Sequence, residues 1–130
     1  LQFEAWFIAW VRTAFQAKSN KQSINSLMAW SDEISKAGRE IQKQFLDYSL
    51  RFFRQALLYN YGAKKLVFIN LNDKSFKLEN FAPFIDASNI TEISKEIELA
   101  NYHIERNANP KIVLTDLSIK LTRLLHLKKA

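Results

Sequence analysis

Residues 35–61 read SKAGREIQKQFLDYSLRFFRQALLYNY, with no proline and one glycine, at position 38. Apolar side chains at Ile41, Phe45, Tyr48, Phe52 and Ala56 recur at helical spacing, and Leu46, Phe53 and Leu57 widen the stripe. A stripe this broad predicts a helix buried on more than one side. At about 1.5 Å per residue a helix over 39–60 spans roughly 33 Å, the depth of a small domain. The remaining segments are therefore expected to pack around it as layers.

The whole chain has 130 residues, 48% of them hydrophobic, with only two Gly and two Pro. That is enough to bury one core without disulfides or metals, and so little turn punctuation favours a few long helices over many strands. The fold class expected is all-α, a bundle of about five helices in one domain. Cysteine is absent, which removes disulfides, thiolate zinc sites and cysteine nucleophiles together and is compatible with a cytoplasmic location. The chain begins at Leu1 instead of Met, as expected of a processed product or of a fragment cut from a longer protein.

Outward from the central stretch, residues 2–17 place Phe3, Trp6, Phe7, Trp10, Val11, Ala14 and Phe15 at three- and four-residue steps, the pattern of an amphipathic helix. Glu4 and Arg12 interrupt this segment, and a membrane span needs roughly 20 uninterrupted apolar residues, so it is read as a buried helix and not as a membrane segment. Its aromatics fall on one face with few cations nearby, which fits core better than a base-stacking surface. Ser19 and Asn20 open a link. A second helix is expected over 23–37, with Ser23 as N-cap, Ile24, Leu27, Met28, Trp30 and Ile34 inward, and a break near Gly38.

Beyond the central helix, Gly62 is a second stop. Residues 63–80, AKKLVFINLNDKSFKLEN, admit two readings. Alternation at Val67, Ile69 and Leu71, a turn at 72–75 and alternation at Phe76 and Leu78 suit a short hairpin; an irregular, extended loop pinned to the helices by Phe68 and Phe76 suits the pattern equally. Residues 80–85 read as a short helical turn, and Asn89 and Glu92 have capping-box spacing before a helix carrying Ile90, Ile93, Ile97, Ala100 and Ile104. Asn109-Pro110 then starts a last helix: asparagine accepts from the first free N–H groups, and proline at the first position loses no hydrogen bond. Leu114, Leu117, Leu121, Leu124 and Leu125 form its apolar face.

The formal charge of +6 is uneven. Residues 39–65 hold six cations against two anions, residues 111–130 five against one, and residues 66–110 four against seven. Two basic helices could bind nucleic acid directly, but Lys43, Asp47 and Arg51 alternate in sign at i, i+4, the mark of a solvated helix face. No chemistry stands out beside this. His103 and His126, the two histidines, are far apart and lack the Glu three residues earlier that a di-iron bundle needs; His103 reads as bordering a helix face and His126 as a surface residue near a helix C-terminus. No glycine-flanked turn presents a nucleophile and no phosphate loop exists. Glu96 and Glu98, two apart on a helix, point to different faces.

Set together, Trp30, the run Gly38-Arg39-Glu40-x-Gln42-Lys43-x-Phe45-Leu46-x-Tyr48, Arg54, and Ile104-Glu105-Arg106-Asn107-Ala108-Asn109-Pro110-Lys111-Ile112 resemble the C-terminal domain of delta-prime and gamma-type subunits of the bacterial DNA polymerase III clamp loader. The resemblance covers residues 27–125 and does not extend clearly to 63–80. It implies an all-α collar domain that joins clamp loader subunits into a ring during DNA replication, while separate modules handle nucleotide, sliding clamp and primed DNA. On that basis this segment carries no catalytic residue and no cofactor, and its partners are the other loader subunits. The recurring residues also have plain physical readings: Trp30 and Phe45 as core anchors, Asn109 as a cap, and Arg39, Glu40, Gln42 and Lys43 as ties to neighbouring helices or to another subunit.

Overall fold

A computed structural model describes residues 2–17 and 21–127. The helices are α1 (Gln2–Ala17), α2 (Lys21–Ser35), α3 (Arg39–Asn60), a single turn α4 (Leu78–Phe81), α5 (Ile90–Glu105) and α6 (Pro110–Leu125), with 3-10 turns at Lys64–Leu66 and Ala82–Phe84. Among the described residues there is no strand. The expected all-α bundle and its long third helix are present, and the short helical turn expected over residues 80–85 is found as α4 and the 3-10 turn that follows it. The link at Ser19 and Asn20 lies outside the described residues.

Large aromatics make the core because α1 and α3 supply them on facing stripes. Trp10 and Trp30 stack with ring centroids 4.9 Å apart and planes 6° from parallel. Phe45, fully buried, meets Phe3, Trp6, Trp10 and Trp30. Further along, Phe7 stacks on Phe52 at 4.1 Å. Burial of this kind supplies the main stabilising term, about 25 cal/mol for each Å² of apolar surface removed from water. Polar tips are matched too: the indole of Trp10 donates to Ser118 Oγ at 2.8 Å, that of Trp30 to the Trp6 carbonyl at 2.9 Å, and that of Trp6 to Glu33 at 2.8 Å. The leucine face of α6 is buried at every expected position, and α6 packs against α1, α2 and α5 while α3 lies along α5.

The breaks follow from local chemistry. Gly38 adopts φ +92°, a region open to glycine, just before α3. Here the buried Gln42 amide donates to the carbonyls of Ile34 and Ser35, both at 3.1 Å, satisfying acceptors at the C-terminus of α2. Asn109 accepts from Ile112 N–H with Pro110 at the first position of α6.

Several expectations are corrected. Ser23 is not an N-cap: α2 begins at Lys21, and Ser23 is buried on its inner face. That face also holds Leu27, Trp30, Ser31 and Ile34, which turns Ile24 and Met28 outward. Ile41 is likewise exposed. Asn89 does not cap α5; its amide donates to the carbonyls of Phe84 and Leu124 and its oxygen accepts from Asp86 N–H. Buried there, it satisfies tertiary acceptors, so the capping box is not formed. His126 is half-buried, its ring nitrogens 2.7 Å from the Thr122 carbonyl oxygen and 3.1 Å from that of Phe15, and it links α6 to α1.

Residues 67–77 form the extended loop and not the hairpin. Phe76 packs on Phe52 and Phe81, but the Phe68 side chain is 83% exposed, and that residue is tied to α3 through its backbone N–H, which donates to Gln55. The rest of the fastening comes from the two charges that interrupt the apolar run of α1. Glu4 accepts from Asn72 N–H at 2.9 Å and Asp73 N–H at 2.9 Å. Arg12 donates to Ser75 Oγ at 3.1 Å and lies over the Phe76 ring.

Candidate functional site

Three of the singled-out residues, Arg39, Lys43 and Asn107, meet at one junction between helix ends. Arg39, in the first turn of α3, donates to the carbonyl of Glu105 and to the side-chain oxygen of Asn107. Lys43, one turn on, forms an ion pair with Glu105. Asn107 takes φ +66°, the left-handed turn that lets α5 hand over to α6, and Asn109 caps α6 two residues later. The pairing holds the Glu105 carboxyl below its ordinary value and the Lys43 ammonium above its own, each because the partner hydrogen-bonds the charged form. Glu40 is exposed beside this cluster, and Gln42 faces the opposite way, into α2.

Asp47 and Arg51 are exposed, as expected of a solvated face, while polar pairs tie the side of α3 toward α5 across to that helix. Lys43 pairs with Glu105, Asp47 accepts from Asn101 at 3.3 Å, and Arg54 lies 4.0 Å from Glu98, a series that runs down α3 and up α5. Trp30 and Phe45 lie in the core, as described above. No group of three or more His, Cys, Asp or Glu side chains that could hold a metal ion occurs among the described residues. Nor is any helix among them long and apolar enough to cross a membrane.

Two open surfaces escaped the sequence reading. On the α5–α6 side, Leu99, Tyr102, Ile112 and Ile119 are exposed at 40%, 49%, 67% and 57%. Leu99 and Ile112 line one shallow groove with His103 and Asp116. Ile112 and Ile119 are seven apart on α6, hence on one face, and lie off the leucine stripe; that second stripe was the available signal. The other surface is a groove of about 580 Å³ between α3 and residues 68–71. Its alternating residues were legible, but the fold of the loop that makes it was not.

Compared with protein-family models, curated proteins and solved structures, the chain gives no significant match in any of the three.

Proposed function

We propose that this chain is an assembly domain of the clamp loader collar type, joining its parent subunit to sister subunits of a ring, without catalytic chemistry of its own. The observation that carries the reading is the junction: the two separate runs that bear the resemblance, Arg39 to Lys43 and Glu105 to Asn109, come into contact through Arg39–Asn107 and Lys43–Glu105. Residues so distant in sequence form one structural unit, which supports treating them as one pattern.

The α5–α6 face is the surface this reading assigns to the neighbouring subunit. Four large apolar residues are exposed on α5 and α6, and Leu99 shares one groove with Ile112 and another with Tyr102; exposed apolar surface of this kind marks interaction sites. The scattered charges around them, Asp116, Lys120 and Glu96, already pair with one another, leaving the apolar side chains as the adhesive element. Co-purification tests the proposal. The full-length parent protein is expected to retain the other clamp loader subunits, and the double variant Ile112→Asp, Ile119→Asp to lose them with its helix content unchanged. A parent protein that stays monomeric when mixed with those subunits overturns it.

A further inference from the structure

The groove between α3 and the extended loop has the components of a single-strand nucleic-acid site. Its floor is Tyr48 and the buried Phe52; its lining includes Arg51, Arg54 and, on the rim, Phe68. Arg51 and Arg54 are three apart on α3 and so share a face. Arg54 has one acidic neighbour, Glu98, at 4.0 Å, and no acidic side chain is among the groove's lining residues. Lys64 and Lys65 follow α3 directly in a 3-10 turn and are exposed.

Phe68 is 83% exposed on a backbone that is held at both sides. Its own N–H donates to Gln55 of α3, and Asn72 and Asp73 are fixed by Glu4. A bulky ring so displayed contributes nothing to the core. Guanidinium groups that track phosphates beside an aromatic face on which a base stacks are how sequence-tolerant single-strand binders work.

We infer that this groove binds single-stranded nucleic acid, with a base stacked on Phe68 and the adjoining phosphates on Arg51 and Arg54. The inference stands apart from subunit assembly, which was assigned to the α5–α6 face, so either can fail alone. The test is fluorescence anisotropy of the full chain with a labelled single-stranded oligothymidine, titrated over a series of salt concentrations. Phe68→Ala is expected to weaken binding about 5- to 100-fold. Arg51→Gln with Arg54→Gln is expected to lower the slope of log affinity against log salt by about 1.4, about 0.7 for each lost phosphate contact. Lys111→Gln, near Asp32 at another site, is expected to change neither. Phe68 and both arginines are exposed, so circular dichroism should report unchanged folding. Equal affinity of the wild-type chain and Phe68→Ala, or displacement of the oligonucleotide by polyglutamate as readily as by unlabelled oligothymidine, overturns the inference; the latter result would mark the groove as a site for acidic peptide.

Discussion

Arg39 donates a hydrogen bond to the side chain of Asn107, 68 residues later in the chain. The contact joins the start of α3 to the turn between α5 and α6, so each end orders the other. Asn107 holds φ +66°, where a Cβ is tolerated best when the side chain is short and polar. Asn107→Ala should therefore lose both the bond and the local preference, costing about 1–2 kcal/mol, whereas Asn107→Gly should cost less because it keeps the backbone freedom. Urea denaturation midpoints of the two variants separate these contributions. Equal midpoints would show that the turn is not what Asn107 supplies.

Gln42 offers a sharper stability test. Its amide serves two α2 carbonyls, while its own oxygen is buried without a hydrogen bond. Gln42→Ala should destabilise the fold by about 1–3 kcal/mol, the cost of leaving buried groups unsatisfied. Gln42→Met fills similar volume and removes the unpaired oxygen, yet it should still be destabilising because the carbonyls remain. A Gln42→Met variant as stable as wild type would mean that water replaces the amide at the end of α2.

Glu4 is expected to control the loop and not the bundle. It accepts from Asn72 N–H and Asp73 N–H, bonds that Glu4→Ala removes without opening a core cavity. Amide hydrogen exchange should accelerate at Asn72 and Asp73 in that variant, with exchange in α6 unchanged. Acceleration spread evenly through the helices would instead place Glu4 in the global folding unit.

Acid should weaken the fold through three paired carboxylates. Glu105 is held below its ordinary 4.5 by the Lys43 ammonium, Asp73 below 3.8 by the hydroxyl and backbone N–H of Ser75, and Asp32 below 3.8 by Lys36 and then Lys111. A carboxyl whose value is lower folded than unfolded adds stability that is present above the unfolded value. It is lost as pH falls through the folded one. Denaturation midpoints should therefore be level from neutral pH to about 5 and decline below about 4. In Lys43→Met the acid decline should be shallower, because the Glu105 contribution is already gone; an identical decline would exclude that pair as a source.

The capping of α6 is a prediction in which sequence and structure agree. Asn109→Ala should cost about 1 kcal/mol, read as a lowered thermal midpoint, and Asn109→Asp should largely preserve stability because it still accepts from Ile112 N–H.

Periodicity and punctuation in the sequence alone determined the all-α class, the breaks at Gly38 and Gly62, the Asn109 cap and the inner faces of α1, α5 and α6. Those features are local: helical repeat, left-handed glycines and caps act within a few residues of one another. On α2, Leu27, Trp30 and Ile34 face inward as expected, but Ile24 and Met28 were misassigned because Ser23 and Ser31, although polar, are small enough to fit where the helix packs closely. Asn89 was misassigned for a related reason, since its side chain prefers the Leu124 carbonyl, a partner 35 residues away. Whether 63–80 paired with itself or lay extended depended on Glu4 and Arg12, whose charges read only as interruptions of an apolar helix. Pairing across such distances is decided by which surfaces tertiary packing brings together, and the junction at Arg39, the α5–α6 face and the groove beside Phe68 exist only once that has happened.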